Sequence, residues 1–167
     1  MRAIGIERAT LIGNSFGCQI IVEFALRHPT RIERAVLVSP TVDPSARVPF
    51  RLLSQLVRDS ARERPGEVLI SMRDYGRFGL RRASATFQFM KDDRIELKLP
   101  RMDLPTLVVR GGDDPIVSQS WAETVTALLP QGQLAVIPGA AHAVNYAAPD
   151  ALVAVVIPFL NLERSAS

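Results

Sequence analysis

Residues 13–17 read Gly13-Asn14-Ser15-Phe16-Gly17, between the apolar run Ala9–Gly13 and a helical pattern from Phe16 to His28. A strand that becomes a helix within so few residues forces the central side chain into a strained, exposed position. Flanking glycines remove Cβ atoms that would clash in such a turn. Ser15 then stands at the carboxyl end of a strand. Backbone N–H groups opening the helix can bind a negative charge developing beside it. The plain alternative is a serine that caps a helix after a glycine turn.

A serine hydroxyl becomes a nucleophile only when a base takes its proton. The chain has two histidines. His142 follows an apolar run and the small residues Gly139-Ala140-Ala141, which let a loop come close to another backbone. His28 precedes Pro29 at the end of a helical pattern, where a surface imidazole suits the helix dipole. The base needs a carboxylate to hold its tautomer, and one is enough. Asp113 and Asp114, in Gly111-Gly112-Asp113-Asp114-Pro115, both follow a strand pattern, and either also suits a turn. Nucleophile, acid and base thus occur in the order Ser, Asp, His.

The elements that must position these groups alternate. Ala9–Gly13, Arg34–Ser39, Thr106–Arg110 and Gln133–Ile137 read as buried strands. Between and after them, Phe16–His28, Ser118–Leu129 and Pro149 to about Leu162 read as helices, the first with Ile20, Ile21, Phe24 and Ala25 on its apolar face. Alternation of this kind implies an α/β fold with a parallel sheet of about four strands and flanking helices. The middle of the chain carries helical stripes only: Leu52, Leu53, Leu56 and Val57, then Val68, Leu69, Met72 and Tyr75, then a helix around Leu80–Met90. The chain therefore divides into core 1–42, a helical insertion 43–100 and core 101–167. Phe50, Leu53, Leu56, Phe78 and Phe87 of the insertion are candidates for core packing or for lining an apolar pocket.

Composition narrows the field. With 167 residues, 47% of them hydrophobic and 22% charged, the chain is long enough for one domain with a core, and the composition argues against disorder. A single cysteine rules out an intramolecular disulfide and a cysteine-rich zinc site. No apolar run is long enough to span a bilayer, and no leader is visible, so a cytoplasmic protein is expected. The basic surplus lies in residues 43–100, with 12 Lys and Arg against 8 Asp and Glu. Charges interleaved along helices read as a solvated face, and no nucleic-acid motif accompanies them.

Together the three motifs resemble the α/β-hydrolase fold family over nearly the whole chain. Gly13-Asn14-Ser15-Phe16-Gly17 matches its nucleophile elbow, Gly111-x-x-Asp114-Pro115 its acid motif and Pro138-Gly139-Ala140-Ala141-His142 its histidine loop. The resemblance implies a partial α/β-hydrolase fold whose helical insertion is a cap. It implies a serine hydrolase acting on an ester or similar acyl small molecule. Ser15 would be the nucleophile, His142 the base and Asp114, rather than Asp113, the orienting acid. Phe16 N–H would be an oxyanion donor, and no cofactor, metal, nucleic acid or membrane is implied. Cys18 stands where the family often has a further glycine, and reads as a small residue at a helix–strand contact.

The family places four strands and at least one helix before the elbow strand, about 50–60 residues by mean element lengths. Here 14 residues precede Ser15, so the chain is expected to correspond to the carboxyl-terminal part of the fold, with the N-terminal strands and the second oxyanion donor absent. The Ala9–Gly13 strand would then have an unpaired edge through which the chain self-associates. Two alternatives accompany the esterase reading. The pair Asn14-Ser15 resembles the elbow of C–C bond hydrolases of aromatic ring-cleavage products, although Ala143 stands where that group often carries tryptophan. The other is a non-catalytic interaction protein on a truncated scaffold.

Overall fold

The computed structural model of the chain describes residues 2–41, 43–44, 73 and 76–161. Four strands, β1 (Ala9–Asn14), β2 (Ile32–Val38), β3 (Thr106–Gly111) and β4 (Gly132–Ile137), form one parallel sheet in the order β1-β2-β3-β4. Their side chains alternate between the two faces, as the period of two in a strand requires. Ala35 and Leu37 of β2 and Val108 of β3 enter one apolar cluster, while Val36, Val38, Leu107 and Val109 enter the other. Burial on both faces is why β2 and β3 carry runs of branched apolar residues. The edge strands β1 and β4, read from the sequence as buried, instead expose Ile12 and Val136, because each has a neighbour on one side only among the described residues.

The first cluster is covered by α1 (Phe16–Arg27) and α4 (Gln119–Leu128), the second by the short α5 (Val144–Ala147) and by α6 (Pro149–Asn161). Ser118 caps α4, its hydroxyl accepting from Trp121 N at 3.1 Å. The buried side of α1 carries Cys18, Ile21, Val22 and Ala25, a spacing of i, i+3, i+4, i+7. Ile20, read from the sequence as part of that face, is instead 58% exposed. The turn at Ser15 sets the phase of the helix and rotates Ile20 outward, which hydrophobicity at a single position does not reveal.

Of the insertion, α2 (Leu80–Asp92), the short helix α3 (Ile95–Lys98) and isolated neighbouring residues are described. The two earlier apolar stripes, Leu52 to Val57 and Val68 to Tyr75, lie outside the described residues, as do Phe50, Leu53 and Leu56. Phe78 is exposed and Phe87 half-buried. Gln19 of α1 donates through Nε2 to Met90 O at 2.9 Å and ties α2 to the core. Ile95 and Leu99 are fully buried in the first cluster. Among the described residues β1 pairs with β2 alone, and Ile12 on it is 55% exposed. Among the same residues no helix is long and apolar enough to cross a membrane.

Candidate active site

The loops leaving β1, β3 and β4 at their carboxyl ends carry Ser15, Asp114 and His142, and the parallel sheet brings all three to one edge. Ser15 has φ 54° and ψ −119°, a conformation that costs a non-glycine residue on the order of 1–3 kcal/mol. It is held there by two backbone bonds. Ser15 N donates to Val38 O at 2.9 Å, and Cys18 N donates to Ser15 O at 3.0 Å. Ser15 sits at the helix start, but its hydroxyl makes no capping bond. It meets His142 instead, with Nε2 at 3.0 Å from Oγ.

The glycines of the turn differ in their reasons. A Cβ on Gly13 would stand 2.8 Å from Gly17 C, 2.9 Å from Gly17 O and 2.7 Å from Ile21 Cδ1, so only glycine fits. A Cβ on Gly17 would meet nothing within 4 Å. The steric expectation therefore holds at Gly13 and is corrected at Gly17. At Gly17 the helix has already turned its Cβ position away from the strand.

Asp114 is 4% exposed and His142 7%. Asp114 Oδ2 lies 2.9 Å from His142 Nδ1, while Oδ1 accepts from Ile116 N at 2.8 Å and Val117 N at 2.9 Å. A carboxylate accepts only, so Nδ1 carries the proton and Nε2 is left to accept from the Ser15 hydroxyl. Burial pushes the Asp114 carboxyl up. The hydrogen bond and charge of His142, the Val117 N–H and Ser39 together outweigh it and hold the carboxyl below its ordinary range. The acid and histidine loops approach so closely that a Cβ on Gly111 would collide with the carbonyl oxygens of Ala140 and Ala141.

Asp113 is exposed, with its backbone N–H on Ala140 O at 2.9 Å. His28 is exposed at the end of α1, its ring 5.0 Å from that of Phe24. Phe16 is the first residue of α1, so its N–H has no acceptor within the helix. Cys18 is fully buried between α1 and the sheet, its Sγ 3.2 Å from Gly13 O and 3.3 Å from Val38 O. Burial pushes its thiol far up, so it stays protonated and is no nucleophile. Among the described residues no three His, Cys, Asp or Glu side chains come together as a metal-ligand set.

Sequence reasoning misses Ser39. It follows β2 with φ 48°, is fully buried, and donates from its N–H to Val109 O at 2.7 Å. Its hydroxyl has no well-aligned bond, yet it contributes to holding the Asp114 carboxyl down. Only backbone geometry marks it, since a serine before a proline after a strand is ordinary loop sequence.

A strained serine, an imidazole and a buried carboxylate in a line of hydrogen bonds form an arrangement suited to nucleophilic attack on a carbonyl. A family model described as the alpha/beta hydrolase family matches residues 1–155. An esterase of Escherichia coli (strain K12) is 38% identical over 64 residues, covering 38% of this chain and 25% of that protein. The 2-hydroxy-6-oxononadienedioate/2-hydroxy-6-oxononatrienedioate hydrolase of Paraburkholderia phymatum is 44% identical over 66 residues, covering 36% of this chain and 23% of that protein. Among solved structures, a hydrolase from Pseudomonas aeruginosa PA01 superimposes with a TM-score of 0.70 at 26% identity, over 95% of this chain and 67% of that one. A hydrolase structure from Thermoplasma acidophilum superimposes over 95% of this chain but 53% of its own length, so the chain spans about half of that relative.

Proposed function

The chain belongs to the alpha/beta hydrolase family, and from that premise we propose that it is a serine hydrolase of an ester or similar small acyl compound in the cytoplasm. The observation that carries the reading is the line Ser15 Oγ, His142 Nε2, His142 Nδ1, Asp114 Oδ2, with separations of 3.0 and 2.9 Å. In the first step Ser15 Oγ bonds to the acyl carbon and its proton passes to His142 Nε2. The carbonyl oxygen becomes an oxyanion facing the N–H of Phe16. The imidazolium is stabilised by the ionised Asp114 and returns the proton to the leaving alcohol, which departs as the C–O bond breaks. Water then attacks the acyl-enzyme, its proton passing to His142 and on to Ser15 as the acid leaves.

Hydrolysis of a p-nitrophenyl ester that disappears in Ser15→Ala tests this directly. A second reading rests on the Asn14-Ser15 pair together with the likeness to a C–C bond hydrolase. There water adds its hydroxyl to a ketone carbon and its proton to the departing carbon. Supplying a ring-cleavage dienoate beside the ester decides between the two. Turnover of the dienoate with none of the ester favours the second. A folded chain that processes neither, and resists a serine-directed probe, favours a non-catalytic scaffold.

A further inference from the structure

Arg110, near the end of β3, is buried at 8% exposure. A guanidinium taken out of water needs partners for its N–H groups. Here they are oxygens of the acid loop. Nε donates to Val117 O at 2.7 Å, Nη1 to Gly112 O at 3.0 Å and Nη2 to Asp114 O at 3.1 Å, and Nη1 reaches Gln119 Oε1 at 3.5 Å. The three carbonyls come before, at and after the acid itself.

The geometry has a cause. To carry Asp114 from the end of β3 to His142, residues 112–117 double back and turn several carbonyls inward, away from water. Each left unmet would cost about 1–3 kcal/mol. The same loop is gripped from its other side, since the Asp114 carboxylate takes the N–H groups of Ile116 and Val117. A planar fork with five donors fits a set of divergent carbonyls, and an ammonium on a flexible stem does not.

We infer that Arg110 is a positioning residue: its guanidinium fixes the 112–117 loop so that the Asp114 carboxylate lands on His142 Nδ1. Its hydrogen bonds go to the acid loop and to Gln119, so it acts through Asp114. The positional claim stands on the loop geometry, and only its kinetic consequence rests on the serine-hydrolase reading.

The test uses the full chain with Arg110→Lys and Arg110→Met, each checked for a cooperative melt. The first readout is the proton resonance of His142 Nδ1–H, which a carboxylate bond shifts far downfield. The second is the rate at which a fluorophosphonate labels Ser15. The expected result is a downfield resonance in the parent chain that moves upfield and exchanges faster in both variants, with labelling slowed about 10²-fold, the scale of a small misplacement. Folded variants that keep the resonance in place overturn the inference whatever their labelling, and so does a parent chain without it. A parent chain that shows the resonance but takes no label, with variants that shift it, upholds the positioning role while the hydrolase reading falls. Should Arg110→Met fail to fold, Arg110→Lys, which keeps a buried cation, decides.

Discussion

At Ser15 the backbone and the side chain are controlled by different parts of the chain. Val38 O and the start of α1 hold the strained main chain, and His142, 127 residues later, receives the hydroxyl. If the three groups act as one unit, Ser15→Ala and His142→Ala each lower ester turnover by about 10³-fold or more, with little further loss in the double variant. Asp114→Ala is expected to lose most activity and Asp113→Ala to keep most of it, measured as kcat/KM on the same ester; loss confined to Asp113→Ala would reverse the assignment. The pH dependence of stability follows from the direction of the Asp114 shift. Its carboxyl is held below the ordinary value in the folded state, so its contribution is full above about pH 4 and is lost as pH falls through the lowered native value. Acid unfolding monitored by circular dichroism should therefore steepen below that point in the parent chain and flatten in Asp114→Asn. Ser15 and His142 were legible because glycine and alanine around them announce close backbone approach. Between Asp113 and Asp114 the residue types alone left both open; the likeness of Gly111-x-x-Asp114-Pro115 to the family's acid motif favoured Asp114, and it is Asp114 whose carboxylate lies against His142. Ser39 and Arg110 left no trace in the sequence, because one is marked by a backbone angle and the other by the carbonyls around it.

At the level of elements, the periodicities carry most of the fold. Branched apolar runs become strands, of which the central β2 and β3 are buried on both faces while the edge strands β1 and β4 are not, and each ends within a residue or two of the turn residues that bound it. The phase of α1 was not readable, since Ile20 and Ile21 are equally apolar and only the elbow decides which points inward. The elbow also separates two glycines that look alike. Gly13→Ala forces a Cβ against the Gly17 backbone and is expected to cost about 1–3 kcal/mol in urea unfolding, an overpacking penalty against atoms that cannot yield. Gly17→Ala meets open space and should match or exceed the parent, because alanine is the better helix former. Equal destabilisation by both would mean that the turn is tighter than its geometry implies.

Across the whole molecule, the sheet presents β1 as an edge with one partner among the described residues. Ile12 on that strand and Ile20 on the helix beside it are both more than half exposed. Apolar edges of this kind invite pairing with another strand. We propose that the 167-residue chain self-associates through this edge, so size-exclusion chromatography should show species larger than a monomer, reduced by Ile12→Lys. A monodisperse parent chain would argue against it. The relay of Ser15, His142 and Asp114 lies wholly within this chain, and whether it works there is the central question. Intact-mass spectrometry after exposure to a fluorophosphonate answers it most directly. The expected result is one adduct per chain, mapped by peptide sequencing to Ser15, absent in His142→Ala and unaffected in His28→Ala. A cooperatively folded chain that gains no adduct, or gains one equally well without His142, would contradict the assignment of Ser15 as an activated nucleophile.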